Sequence, residues 1–143
     1  MAVKEIWSMT DKIPPAQRSA NMKAVRSTNT GPELRVRRIA HSLGYRFRLH
    51  RRDLPGKPDM VFPSRRKAIF IHGCFWHRHN RCDRATMPTS NSAFWRAKFD
   101  RNVARDTEQI SALKRLGWRV LVVWECETKD VPGLILKLRR FLK

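Results

Sequence analysis

Acidic residues are scarce in this sequence. Twelve Asp and Glu stand against 31 Lys and Arg among 143 residues, a net charge of +19 with His neutral. A chain this basic repels itself and finds anionic partners. Long apolar runs are missing as well: none approaches the ~20 residues of a membrane-spanning helix. The opening MAVKEIWSMTDK has no unbroken apolar core of the kind a secretory signal carries. Cysteines number only three, Cys74, Cys82 and Cys126. An odd count makes a poor disulfide framework and fits a reducing compartment, leaving metal ligation or plain buried thiols. Hydrophobic residues, in contrast, reach 41%, which excludes disorder for the bulk of the chain. The length suggests one domain.

The basic residues are spread along the chain and interleaved with Phe, Trp and Tyr. A membrane-surface protein would concentrate them in one amphipathic helix or a polybasic tail. The observed spread favours nucleic acid.

Residues 1–30 contain Pro14-Pro15 and a polar string through Lys23, and read as an arm or short helix without its own core, placed to contact DNA. Residues 31–143 read as the domain proper. Thr30-Gly31-Pro32-Glu33 has capping-box spacing with Pro in the first turn. Val36, Ile39, Ala40 and Leu43 follow at helical spacing, and Gly44 stops the helix. Tyr45, Phe47 and Leu49 alternate with Arg46, Arg48 and His50, predicting a half-exposed strand. A turn at 54–58 precedes a short strand over 59–62, and a second, more buried strand covers 67–72. The stretch 73–89 has no period and is rich in His, Arg, Cys and Pro. A loop that long is usually functional or tied to a ligand. A long helix follows over 92–116, then a buried strand over 118–124 and an amphipathic helix over 131–142. This order predicts a mixed α/β domain with one sheet.

Several clusters could carry chemistry. Cys74 to Cys82 packs two Cys and two His into nine positions. With Cys126 this makes a Cys3His set, the donor chemistry of a closed structural zinc site. His79, three before Cys82, is the chosen imidazole, which leaves His77 free; buried thiols beside surface histidines are the alternative. Asp59 opens one strand while Ile71 and His72 end the next. A carboxylate, the Ile71 carbonyl and substrate phosphate would suit Mg2+; an Asp that merely starts the strand from a turn is the alternative. Asp106 lies on the apolar stripe of the long helix with Trp95, Phe99, Val103, Ile110 and Leu113. A carboxylate buried there needs a partner; a loop histidine would serve, as would a local pair with Arg105 or Lys114. Glu33 is explained by its place in the capping box. His41 and His50 have no special context and read as surface residues. Phe75 and Trp76 are adjacent aromatics in a basic loop. Adjacent strand-like residues point to opposite sides, so the two do not both enter the core. Exposed, they would stack on bases or wedge a duplex; the alternative is one in the core and one covering the metal site.

Together, the strings Gly56-Lys57-Pro58-Asp59, Ile69 to His77 (IFIHGCFWH), Asn102 to Asp106 (NVARD) and Gly117 to Cys126 (GWRVLVVWEC) closely resemble the Vsr, or very short patch repair, DNA mismatch endonucleases. Arg18 to Lys23 (RSANMK) matches too, so the resemblance runs from about residue 17 to 126. It implies a restriction-endonuclease-like fold, a central mixed sheet flanked by helices with a structural zinc site. It implies a Mg2+-dependent nick 5′ to the mismatched T of a T·G pair in double-stranded DNA, the first step of very short patch repair. Such pairs arise when 5-methylcytosine deaminates, which points to a cytosine-5 methyltransferase and downstream mismatch-repair proteins as partners. By the same resemblance, Asp59 and the Ile71 carbonyl hold Mg2+; Ile71 stands where the family has Thr, but the ligand is the backbone oxygen. His77 activates water beside Asp106, and His72 and Glu33 complete the catalytic set. Cys74, His79, Cys82 and Cys126 match the zinc ligands, although the gap from His79 to Cys82 is one residue longer. Met22, Phe75 and Trp76 match the residues wedged into DNA. The expectation is a monomeric, cytoplasmic, nucleoid-associated bacterial enzyme.

Two other classes fit part of the sequence. A non-catalytic, zinc-stabilised DNA-binding module explains the charge, aromatics and cysteines, but treats Asp59, His77 and Asp106 as incidental. A restriction-like endonuclease would cut both strands of matched DNA.

Overall fold

A computed structural model describes residues 29–143. Met22 and nearly all of the expected arm over 1–30 lie outside the described residues. Helix α1 spans Gly31–Ser42, with Pro32 in its first turn and the Thr30 side chain accepting from the Glu33 amide at 3.4 Å. Gly44, at φ +90°, turns the chain out of it, a left-handed conformation that glycine adopts without strain. Strand β1 is Arg48–Leu49, β2 Met60–Phe62 and β3 Lys67–His72. Helix α2 spans Ser92–Arg115, β4 Arg119–Trp124 and α3 Val131–Leu142. The predicted order of elements is the observed one.

The four strands form one mixed sheet in the order β1-β2-β3-β4. The first two pairings are antiparallel, and β3 and β4 run parallel, joined through α2. Alternation along the strands sends side chains to two layers. Met60, Phe62, Ile69 and Val123 pack against Val36 and Ala40 of α1 and Leu134, Leu138 and Leu142 of α3. Val61, Ala68 and Phe70 face the other way, onto Leu113 and Trp118. Helices therefore cover both faces of the sheet.

Two strands differ from expectation. The alternating segment over 45–49 forms a ladder only at its last two residues, because Tyr45 and Phe47 pack against the core beneath α1 and α3 instead. The apolar strand β4 is half-buried rather than buried, with only Val123 fully covered, because it is the edge of the sheet. Among the described residues, no helix is long and apolar enough to cross a membrane.

Candidate active site

One end of the sheet collects most of the singled-out residues. Asp59 precedes β2, Ile71 and His72 close β3, and Cys126 follows β4. The antiparallel β2–β3 pairing and the parallel β3–β4 pairing bring those three ends together.

Asp59 Oδ2 accepts from the Ile71 amide at 2.6 Å. The same register, Met60 opposite Ile69, carried two residues further puts Pro58 opposite Ile71. Proline has no N–H, so it offers the Ile71 carbonyl no ladder bond. Burial pushes the Asp59 carboxyl up to about 7, and the Glu33 charge pushes it the same way; the Ile71 amide, His77 and Arg37 oppose them. A half-buried carboxylate held this high gains from a cation.

His77 Nδ1 donates to Asp106 Oδ2 at 2.6 Å. Asp106 thus finds a loop histidine, not Arg105 or Lys114. With Nδ1 carrying the proton toward Asp106, Nε2 of a neutral ring is left as an acceptor. The His77 backbone is fixed by a bond from its amide to the Gly73 carbonyl (3.0 Å). Its ring stacks on His72, with centroids 3.9 Å apart and planes 7° from parallel. Burial, reinforced by the adjacent His77, lowers His72 to about 4, so His72 is neutral at neutral pH. His72, His77 and Asp106 offer ligand-type atoms all within 4.8 Å of one another.

Glu33 is buried at 4% exposure, and the capping box is displaced by one residue: its carboxylate accepts from the Asn29 amide (3.0 Å). It also accepts from Arg37 (3.0 Å). The sequence reads His50 as a surface residue; the structure places it here instead. Its Nε2 lies 3.6 Å from Glu33 Oε2, and its Nδ1 lies 3.9 Å from Asp59 Oδ1. His41 is exposed, as expected, beside Arg46. Arg37 stands four residues after Glu33, the helical ion-pair spacing that could have found it; no such spacing marks His50, whose backbone is left-handed (φ +48°).

Cys74, His79, Cys82 and Cys126 converge, with one donor atom from each within 4.8 Å of the others. His79 stacks on Trp124 (4.3 Å, 13°) and its Nδ1 is 3.4 Å from Cys126 Sγ. Burial pushes the Cys74 thiol up to about 12 and raises Cys126 also. Three thiols and an imidazole packed this closely suit a thiophilic cation, which stabilises them as thiolates. His79 falls within this group and His77 outside it.

Exposure of both Phe75 and Trp76 is corrected for Phe75: one of the pair enters the core, as the alternative had it, and the other covers an aromatic cluster rather than the cysteine group. Phe75 is 3% exposed and packs with Trp95 and Phe99, while Trp76 covers that cluster half-exposed. Helix α2 supplies these partners at i and i+4, an apolar pocket that one of two neighbouring aromatics fills. Arg78, also absent from the expected site, ties the loop down. It stacks over Phe99 at 4.1 Å and donates to the carbonyls of Phe75, Ala85 and Thr86. Asn102 Nδ2 donates to the Trp76 carbonyl at 3.2 Å.

The family model described as "DNA mismatch endonuclease Vsr" matches residues 10–84, more than half of the chain. The chain belongs to the Vsr DNA mismatch endonuclease family. It is 52% identical to the Type II nicking enzyme V.XorIIP of Xanthomonas oryzae pv. oryzae, over 94% of this chain and 98% of that one. It is 44% identical to the DNA mismatch endonuclease Vsr of Escherichia coli, over 82% of this chain and 75% of that one. A Type II nicking enzyme of Neisseria meningitidis, V.NmeAIP, shares 39% identity over 94% and 96%. The protein is thus a DNA endonuclease, and DNA is its substrate. The non-catalytic module is set aside. The Vsr match ends at residue 84, before Asp106 and Cys126, so their place beside His77 and Cys74 rests on the geometry above.

Proposed function

We propose that this enzyme nicks one strand of double-stranded DNA 5′ to the T of a T·G mismatch, in a Mg2+-dependent reaction that initiates very short patch repair. The observation that carries the mechanism is the Asp106–His77 pair, set beside a half-buried carboxylate that gains from a cation.

Asp59 and the Ile71 carbonyl are the residues that would hold Mg2+; Asp59 is half-buried and raised, and Pro58 lacks the N–H that would occupy Ile71. A divalent ion there supplies a Lewis acid for the scissile phosphate. Asp106 fixes the His77 tautomer, so Nε2 accepts the proton of the attacking water. The new P–O bond forms as the bond to the 3′ oxygen breaks, leaving one nick. His72, neutral and stacked on His77, holds that ring in plane without competing for charge. Glu33 completes the acidic side of the site. Cys74, His79, Cys82 and Cys126 would hold Zn2+, which fixes the loop carrying His77 and Trp76.

The +19 charge gives sequence-independent affinity through phosphates. Mismatch choice falls to the wedge: half-exposed Trp76, and Met22 from the arm, with the buried Phe75 edge-on behind Trp76 at 5.2 Å as its support. Cytosine-5 methyltransferase action would generate the substrate, and mismatch-repair proteins would act on the product.

Replacing His77 by Ala should lower single-turnover nicking about 10²–10⁴-fold with DNA affinity kept. Asp106→Asn should fall in the same range, and the double variant should be no worse than His77→Ala alone, because the two act as a unit. Full activity in either single variant contradicts the assignment. Trp76→Ala should weaken binding to a T·G duplex more than to a matched one, since phosphate contacts survive. Equal losses on both duplexes count against the wedge.

A further inference from the structure

We propose that His50 is a positioning residue for the Asp59 carboxylate and that Arg37 locks its ring in the tautomer required. This rests on the reading of Asp59 as the cation ligand. The Arg37 guanidinium is a donor only, and its Nη2 lies 3.0 Å from His50 Nε2. Nε2 therefore accepts, and the ring proton is on Nδ1. That N–H lies on the Asp59 side, 3.9 Å from Oδ1, while Oδ2 is held by the Ile71 amide. The contact is longer than a hydrogen bond and acts as a dipole on the carboxylate. Each Asp59 oxygen thus faces its own N–H.

Two features hold the arrangement. His50 lies in the left-handed region at φ +48°, a conformation disfavoured for a residue with a Cβ. Its amide pairs with the Asp59 carbonyl at 3.3 Å, so the turn is pinned to the residue it serves. Among the described residues, Arg37 Nε is a buried side-chain polar atom without a partner, although Arg37 also bonds Glu33 and Asn29. Glu33, His50 and Asp59 could themselves suggest an ion-binding trio. Arg37 already fills the Glu33–His50 edge with positive charge, which favours the positioning role.

The test uses the full chain and Mn2+, binding being followed by loss of the free-ion electron spin resonance signal. His50→Gly removes the ring and adopts the same φ without strain. His50→Asn keeps an N–H donor where Nδ1 stood and tolerates the left-handed backbone. The Gly variant should raise the Mn2+ dissociation constant about 10-fold or more and lower kcat at a fixed low ion concentration, with KM for DNA unchanged. The Asn variant should restore most of both. Histidine-labelled protein should show the His50 proton on Nδ1 by nitrogen NMR. Wild-type Mn2+ affinity in the Gly variant, an Asn variant no better than Gly, or a proton on Nε2 would each overturn the proposal. Asp59→Asn separates the two layers. If it binds Mn2+ as wild type does, the reading of Asp59 as ligand fails. If it loses the ion and His50→Gly does not, only the role of His50 fails.

Discussion

The Asp59→Asn enzyme should bind mismatched duplex as wild type does, fall at least about 10³-fold in nicking, and melt at a higher temperature at neutral to alkaline pH. The gain in stability follows from the raised carboxyl. Asp59 titrates at about 7 in the fold against an ordinary 3.8. Between those values the folded chain holds a proton that the unfolded chain releases, so the contribution to stability is full below about pH 4. It is lost as pH rises through about 7. Above that, the fold carries a half-buried anion, and each tenfold weakening of the acid on folding costs roughly 1.4 kcal/mol. Asn accepts the Ile71 N–H but never ionises. Without divalent ions, the variant should melt about 5 °C or more above wild type near pH 8, and the gap should close as pH falls toward 4. Added Mg2+ should raise the wild-type melting temperature at pH 8 and leave the variant unmoved. A variant that melts below wild type at every pH would remove the strained-carboxylate account. Retained nicking would remove Asp59 from the ion site.

Stripping zinc should have the other large effect. Purified protein should carry one zinc per chain by emission spectroscopy, and Cys126→Ser should lose most of it. The expected fall in melting temperature is about 10 °C or more, since structural zinc contributes folding free energy directly. Returning Zn2+ to stripped protein should release protons, because Cys74 and Cys126 are held as thiols by burial and bind as thiolates. The proton count follows from calorimetry in buffers of different ionisation heat. Loss of ordered Trp76 should accompany zinc loss, because Cys74 lies two residues before it and His79 three after. Metal-free protein of unchanged stability would contradict the zinc site.

The layered fold is legible in the sequence because period and punctuation agree. Gly44 and Gly117 end helices where helical spacing runs out, and β2 and β3 carry apolar residues on both faces. Asp106 is legible for a different reason: a carboxylate on an apolar stripe demands a partner, and His77 supplies one. The register that frees the Ile71 carbonyl is half legible, since Pro58 is visible but its place opposite Ile71 is not. His50 escapes a reading by residue type because its role comes from one backbone angle, which residue type does not encode. That one of the adjacent aromatics Phe75 and Trp76 is buried is legible, but which one is not, because residue type does not say which side of the loop meets α2. The loop is turned, and Phe75 falls into a pocket that Trp95 and Phe99 open one helical turn apart. Glu33 shows local and tertiary demands sharing a residue: it serves the start of α1 through Asn29 and the site through Arg37.

The most direct measurement of the central claim is single-turnover nicking of end-labelled duplexes, each carrying one T·G pair, beside matched controls, with and without Mg2+. One Mg2+-dependent nick should appear, in the T strand, immediately 5′ to the mismatched T, with the matched controls intact. Cleavage of both strands of matched DNA, or a nick at the T·G pair that persists without any divalent ion, would contradict it.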